Sequence, residues 1–360
     1  AADAALLPAG QGRRNARLGG LDWGGMPVVN GFGQQEGSLL LGLPGLTLLG
    51  TTGSLRVLVL LGLVFVAVGV RSFGARSFAP FGVALLLAAL ALPGQDRLWA
   101  RLHGRAPGTD VLVDEDATGV AALARRDGNW LVYVNGKEHS WIPFGGAHST
   151  LGAGPALVHP EPRSVAVIGL GSGDTIWAAG CRAETTSLVV FEIAAPQPRL
   201  LRRLAAAGGS PQLEQLLSDP RLTVSIEDGR NAIARSAEAY DVLEADALWP
   251  HVGYSGILYS LEFFERCAAK LRPGGVMCTW APTHRVQQTF LRVFPHVLGT
   301  PDRAVLIGSR DPLPFAPAEW RRRLDAPAVG AYLGRRIRKA TAQLLAHLQP
   351  IPHDRAATRE

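Results

Sequence analysis

The sequence predicts an α/β fold: a parallel sheet wound on both faces, preceded by a small antiparallel sheet and, before that, by about three transmembrane helices. Three observations carry this. Val165 to Thr175 reads VAVIGLGSGDT, a strand, a glycine turn and a helix start. Strand and helix patterns then alternate as far as Gly308, which implies parallel strands joined by helical crossovers. Long uncharged apolar runs fill the first hundred residues.

Residues 1–36 are polar and glycine-rich, with a basic cluster at Arg13, Arg14 and Arg17. Residues 37–95 carry the apolar runs: Gly37 to Leu55, Val57 to Val70 (VLVLLGLVFVAVGV) and Ser77 to Pro93 (SFAPFGVALLLAALALP). A spanning helix needs roughly 20 mostly apolar residues. The first run has that length, and flanking arginines extend the other two by snorkelling. Repetition and a late start argue against a signal peptide. Arg97, Arg101 and Arg105 follow the last run and favour a cytoplasmic start to the soluble part. The reading is an integral membrane protein with its soluble part in the cytoplasm and membrane lipid as a partner.

Residues 108–160 predict a small antiparallel sheet and a connecting helix. Asp110 to Glu115, Gly119 to Arg125 and Trp130 to Val134 read as strands, with hairpin signals at Asp127-Gly128 and Asn135-Gly136. Leu151 to Val158 reads as a helix closed by His159-Pro160. Residues 161–310 form the main domain. Beyond the glycine turn, the strands are Leu188 to Glu192, Leu222 to Ile226, Tyr240 to Ala245, Val276 to Trp280 and Ala304 to Gly308. The helices between them are Pro198 to Ala206, Arg230 to Ser236 and Ser260 to Leu271. Residues 311–360 form a tail with helices at Trp320 to Leu324 and Tyr332 to Leu348.

In such a sheet, ligands sit beyond the carboxyl ends of the strands. Glu192, Asp228 and Asp246 all fall at such ends. A glycine turn leading into a helix exposes backbone N–H groups, and a carboxylate about twenty residues on can accept bonds from both ribose hydroxyls. The pattern therefore points to a nucleoside-containing cofactor.

Of 360 residues, 47% are hydrophobic and the formal net charge is +6. Nearly all the positive charge is arginine, the lysines being Lys137, Lys270 and Lys339. No basic stripe interleaved with aromatics is present, which argues against nucleic acid. Cys181, Cys267 and Cys278 lack metal-ligand spacing and read as reduced, packed thiols. The chain starts at Ala1, which leaves open that it is a piece of a longer protein.

Six pieces in order carry a resemblance: VYVNG around Tyr133, HPEPRSVAVIGLGSGDT from His159, FEI at Phe191 to Ile193, EDGR at Glu227 to Arg230, YDVLEADALWP at Tyr240 to Pro250, and LYSLEFF at Leu258 to Phe264 before LRPGGV. Together they resemble the spermidine synthases, the polyamine aminopropyltransferases, and more closely bacterial membrane proteins that carry such a domain after transmembrane helices. The resemblance implies a Rossmann-like, S-adenosylmethionine-dependent methyltransferase fold, a decarboxylated S-adenosylmethionine or S-adenosylmethionine cofactor, a small-molecule amine acceptor and a homodimer.

It also implies roles. Gly169, Gly171 and Gly173 line the cofactor, Glu192 holds the ribose and Asp228 faces the adenine, with Ser172 and Gly229 completing that set. Asp246 is the catalytic group beside the amine, and His148, Glu244 and Tyr259 are substrate-binding candidates. An ammonium is no nucleophile until it loses a proton, which a carboxylate beside it can accept. The sequence departs from the family pattern at Trp249 and Ser172, each in place of an aspartate, at His139 in place of a glutamine, and at Ala147-His148-Ser149 in place of Tyr-(His/Gln)-Glu. Two other readings therefore stand beside aminopropyl transfer: a methyltransferase, and a non-catalytic cofactor-binding module attached to a membrane part.

Overall fold

The computed structural model describes residues 45–106, 110–245, 250–251 and 255–352. The polar segment 1–36, the start of the first apolar run, Asp246, Trp249 and the last residues of the tail lie outside these. Helix α1, Leu46–Phe73, is interrupted at Gly50, whose φ of 65° and ψ of −177° leave helical geometry. Gly74 reverses the chain into α2, Ala75–Ala91. Gly69 faces Phe78 and Gly62 faces Leu85, so the two helices run antiparallel as a hairpin. After Pro93, α3, Gln95–Leu102, lies at 86° to α2.

Apolar side chains are exposed all round the hairpin, among them Leu58, Leu61, Phe65, Phe81, Leu87 and Leu90. Against the expectation of about three transmembrane helices, the described part of the first run joins the second within α1 across the kink at Gly50, and the start of that run lies outside the described residues. Among the described residues, one helix is long and apolar enough to cross a membrane, and α2 with α3 form a bent pair that passes the same test.

Strands β1 (Val111–Asp116), β2 (Gly119–Arg126), β3 (Asn129–Val134) and β4 (Lys137–Ile142) form an antiparallel meander in that order. The sequence reading lists three of these strands. The fourth follows the Asn135-Gly136 turn, where Asn135 takes positive φ. Helix α4, Ala147–Val158, connects to the main sheet.

The main domain continues with β5 (Ser164–Ile168), α5 (Asp174–Ala179), β6 (Ser187–Glu192), α6 (Pro196–Ala206), α7 (Pro211–Leu217), β7 (Leu222–Ile226), α8 (Gly229–Arg235) and β8 (Tyr240–Ala245). A 3₁₀ turn at Ser255–Tyr259 leads to α9 (Leu261–Ala269), β9 (Leu271–Trp280), α10 (His284–Val293), β10 (His296–Gly299), β11 (Val305–Ser309), α11 (Pro317–Leu324), α12 (Pro327–His347) and β12 (Gln349–Pro350). Among these, α7, the 3₁₀ turn, α10, β10 and β12 are additions to the sequence reading.

The strand order is β12-β10-β11-β9-β8-β5-β6-β7. Strands β7, β6, β5, β8 and β9 run parallel, and β11, β10 and β12 add antiparallel pairings at one side. The order reverses direction at β5, with β6 on one side and β8 on the other, which opens a crevice at its carboxyl end. One apolar cluster joins Val165, Val167, Val242, Val276 and Cys278 to α4, α5 and α12. The other joins Ala166, Ile168, Leu243 and Met277, from the opposite sheet face, to α9 and α10.

The hairpin is bonded to the small sheet. Glu115 on β1 accepts from Thr51 N at 2.6 Å, Thr51 Oγ1 at 2.7 Å and Trp99 Nε1 at 2.9 Å. The helix restarts after Gly50, so the Thr51 N–H has no helical partner, and Glu115 supplies one. A Cβ at position 50 would come within 2.5 Å of Glu115 Oε1, so both backbone angle and space require glycine there. The small sheet is in turn bonded to α6: Arg199 pairs with Asp114 at 2.7 Å and Asp116 at 2.9 Å, and Arg203 donates to Val113 O.

Candidate functional site

The site forms where β5 ends. Val165 to Ile168 are buried on both faces of a central strand, and the chain must then turn sharply to start α5. Gly169, Gly171 and Gly173 make that turn with φ of 93°, 52° and 91°, values that L side chains rarely adopt. A Cβ built on Gly169 meets nothing within 4 Å, and one on Gly171 meets only Ser140 Oγ at 3.4 Å. The turn therefore leaves open space on the crevice side, a cradle of the kind that lets a ligand approach the backbone.

Glu192 ends β6 beside this turn. Its Oε2 accepts from Leu170 N and its Oε1 from Ala194 N, each at 2.8 Å. Burial raises its pKa above the ordinary carboxylate value, against the lowering effect of these N–H donors. Ile193, next in the chain, is exposed and offers an apolar surface beside the carboxylate. Glu227 N donates to Glu192 O, which brings the end of β7 alongside. Asp228 caps α8 there, its Oδ1 accepting from Arg230 N at 2.8 Å and Asn231 N at 3.1 Å. That cap leaves Oδ2 out of these two bonds. Gly229 sits against β5, since a Cβ there would lie 2.6 Å from Ile168 Cγ2. The structure thus brings Gly169, Gly171, Ser172, Gly173, Glu192, Asp228 and Gly229 to one end of the sheet.

Three polar residues absent from the sequence reading hold the turn. Ser140 Oγ accepts from Ser172 N at 3.0 Å, delivered by β4. Gln197 on α6 donates Nε2 to Gly171 O. Its Oε1 is buried with no hydrogen-bond partner among the described residues. Asp174, first residue of α5, accepts from Ser149 Oγ and from Gly145 N, and burial raises its pKa. It ties the glycine turn to the first turn of α4, where His148 lies half-buried with Nε2 3.2 Å from His139 O.

Glu244 is fully buried on β8, level with Val167 and Cys278. By strand alternation it shares a face with Val242, the face that α4 covers. Tyr259 belongs to the cluster on the opposite face, with Phe263 and Phe264. The structure therefore puts Glu244 and His148 on one side of the sheet and the Tyr259 ring on the other. Asp246 lies outside the described residues. It follows Ala245, the last residue of β8, which pairs with Ile168 immediately before the glycine turn.

An adenosyl sulfonium cofactor fits these residues: an open glycine cradle, a strand-end carboxylate, an exposed isoleucine beside it and a second carboxylate on the next strand end. Residues 200–293 match the family described as the Spermine/spermidine synthase domain. Putrescine N-methyltransferase 2 of Nicotiana attenuata is 32% identical over 135 residues, covering 36% of this chain and 35% of that protein. Polyamine aminopropyltransferase 2 of Pseudomonas aeruginosa is 31% identical over 131 residues, covering 36% of each. The chain thus spans about a third of the length of these curated relatives. The crystal structure of a spermidine synthase in complex with the transition state analogue AdoDATO superposes with a TM-score of 0.52 at 18% identity, covering 66% of this chain and 90% of that one. That likeness shows the fold: a Rossmann-like, methyltransferase-type α/β domain with a small antiparallel sheet before it. Over residues 200–293, and in its fold, the chain is similar to the spermine/spermidine synthase family.

Proposed function

We propose that this chain is a membrane-anchored aminopropyltransferase-like enzyme that takes an S-adenosylmethionine-type donor and an amine acceptor. The observation that carries the reading is the joined Glu192–glycine turn unit with its open cradle at the switch point of the sheet. Glu192 holds the ribose hydroxyls, Asp228 Oδ2 accepts from the adenine amine, and Ile193 lies along the base. Gly169 and Gly171 leave the cradle open to the cofactor, Gly173 and Gly229 shape the turn and the next strand end beside it by packing on Leu216 and Ile168, and Ser172 lines the turn.

When bound, the cofactor supplies a sulfonium-activated carbon. This chain's residues bring the amine to it. Asp246 accepts the proton that the ammonium must lose, since attack needs a free lone pair. His148 and Glu244, on the α4 side of the sheet, orient the acceptor, and the buried Tyr259 ring supports the floor from the other side. The exposed apolar hairpin anchors the domain in a bilayer. The domain then faces the cytoplasm, where such a donor is found.

A second reading, methyl transfer, has a specific observation behind it. Putrescine N-methyltransferases and aminopropyltransferases match this chain at nearly equal identity. Ser172, Ser149 and Trp249 also stand where acidic groups of the family would bind an aminopropyl ammonium. The two activities differ in which carbon on the sulfonium is attacked. Calorimetric titration of the full chain in detergent, with decarboxylated S-adenosylmethionine and separately with S-adenosylmethionine, tests the proposal. Tighter binding of the decarboxylated form supports aminopropyl transfer, and tighter binding of the intact form supports methyl transfer. Binding by the wild type with no product from either donor, across a panel of di- and polyamines, identifies a non-catalytic binding module. A folded chain that binds neither overturns the cofactor reading.

A further inference from the structure

Helix α3 has a sheet-facing side and an outward side, and the outward side carries an unusual mixture. Ala100 is fully buried in a cluster with Val111, Val113, Ala122 and Ala124, and Trp99 packs on that cluster. Trp99 also donates to Glu115, and the His103 ring meets the Tyr133 ring at 4.7 Å. These contacts fix the rotation of the helix. At 100° per residue, Arg97, Leu98, Arg101 and Leu102 then fall on the other side. Arg97 and Arg101 are exposed, and Leu102 is 65% exposed.

The helix ends in a Schellman closure. Arg105 N donates to Ala100 O at 2.8 Å, Gly104 N donates to Arg101 O at 3.0 Å, and Gly104 has φ of 65°. That closure holds exposed Arg105 beside the same end. One acid, Asp96, sits in the first turn. Between Gly37 and Gln95 the sequence has no acidic residue at all.

Position completes the argument. Arg56 donates to Leu92 O at 3.0 Å, so its guanidinium is level with the end of α2. α3 begins three residues later and lies at 86° to α2. If α2 follows the bilayer normal, α3 lies in the plane of the membrane surface at the base of the hairpin. Exposed Leu102 and half-buried Leu98 beside arginines at that level suit the boundary between acyl chains and headgroups.

We infer that α3 is an interfacial helix that docks the domain on an anionic bilayer surface: Leu98 and Leu102 sink into the headgroup boundary while Arg97, Arg101 and Arg105 bind lipid phosphates. The inference rests on the reading that the hairpin is inserted in a bilayer. The occupant is lipid rather than protein because the arginines form a cationic rim continuous with an apolar hairpin that is exposed on every face.

The test uses the full chain in vesicles of phosphatidylcholine with and without phosphatidylglycerol. A Leu102→Cys variant and, separately, a Leu87→Cys variant are labelled with an environment-sensitive fluorophore. The native cysteines are buried, so labelling is selective. The label at position 102 is expected to shift to the blue and to be quenched by nitroxide at the headgroup, more so with phosphatidylglycerol. Replacing Arg97, Arg101 and Arg105 by Gln should abolish that phosphatidylglycerol-dependent increment and leave the label at position 87 unchanged. Deep quenching at position 87 together with a water-exposed, iodide-accessible label at position 102 overturns the inference alone. A label at position 87 that lipid nitroxides do not reach overturns the insertion reading, and this inference with it.

Discussion

The Glu192 carboxylate accepts a hydrogen bond from the backbone N–H of Leu170 at 2.8 Å, so the glycine turn and the strand-end acid are one unit. The same carboxylate holds Ala194 N and so fixes the start of the following helix. Glu192→Gln swaps one acceptor oxygen for a donor that faces an N–H. The expected cost is about 1–3 kcal/mol of stability, read by thermal unfolding, with loss of adenosyl-ligand binding by calorimetry. Retained wild-type binding would remove Glu192 from the proposed ribose site.

Because burial raises the Glu192 pKa, the folded protein holds this proton more tightly than the unfolded chain does. Its contribution to stability therefore falls as pH rises from the ordinary carboxylate range through the raised value. A ribose needs the ionised form as acceptor, so nucleoside affinity should fall as pH is lowered into that same window. Calorimetric affinity measured at a series of pH values checks the sign.

His159 gives the opposite dependence. Burial lowers its pKa, and its Nδ1 accepts from Glu161 N at 3.2 Å, a bond that a protonated ring cannot accept. Stability from this group is complete above the ordinary histidine value and is lost as pH falls from there through the lowered one. Unfolding midpoints between neutral and mildly acid pH should therefore drop in the wild type. The drop should be smaller in His159→Gln.

Gly152 lies where α4 meets α5. A Cβ there would overlap Thr175 O and reach 3.0 Å from Ala179 N, both backbone atoms that cannot rotate away. Gly152→Ala should force the helices apart, at a cost of about 1–3 kcal/mol or more. Chemical denaturation measures it, and an unchanged midpoint would show that the interface can shift freely.

Glu115→Gln should weaken the joint between the hairpin and the small sheet. Three donors converge on that carboxylate, and the amide can accept only on one oxygen. Faster hydrogen exchange is expected at Thr51, with protection of β5 and β6 unchanged. Unchanged exchange at Thr51 would mean that the bond does not hold the helix start.

Much of the main domain was legible because its signals are local. Buried strands read as apolar runs, and Glu192 and Asp228 stand at their ends. The residues that hold the glycine turn were not legible. Ser140 reaches Ser172 from 32 positions away, and Gln197 reaches Gly171 from 26 positions away. Only tertiary structure places them, and a serine or glutamine in an ordinary strand or helix carries no mark of that. Helix α7 spans two turns, too short for a periodic pattern. Helix α10 was readable, with Thr283 as its cap and Val286, Phe290 and Leu291 on one face. Apolar composition alone does not mark where α1 breaks, because Gly50 packs on a carboxylate 65 positions further along the chain.

The Glu115 joint has a consequence for reach. A catalytic domain on a flexible tether samples a volume set by the length of its linker. Here a bonded path runs from Thr51 through Glu115, along β1 to Asp114 and Asp116, across to Arg199 on α6, and from Gln197 on that helix to Gly171. The stand-off between the hairpin base and the glycine turn is therefore a fixed length of folded protein. With the hairpin anchored as proposed, a substrate must come to that height, because the bonded path leaves no free linker on which the domain could swing out.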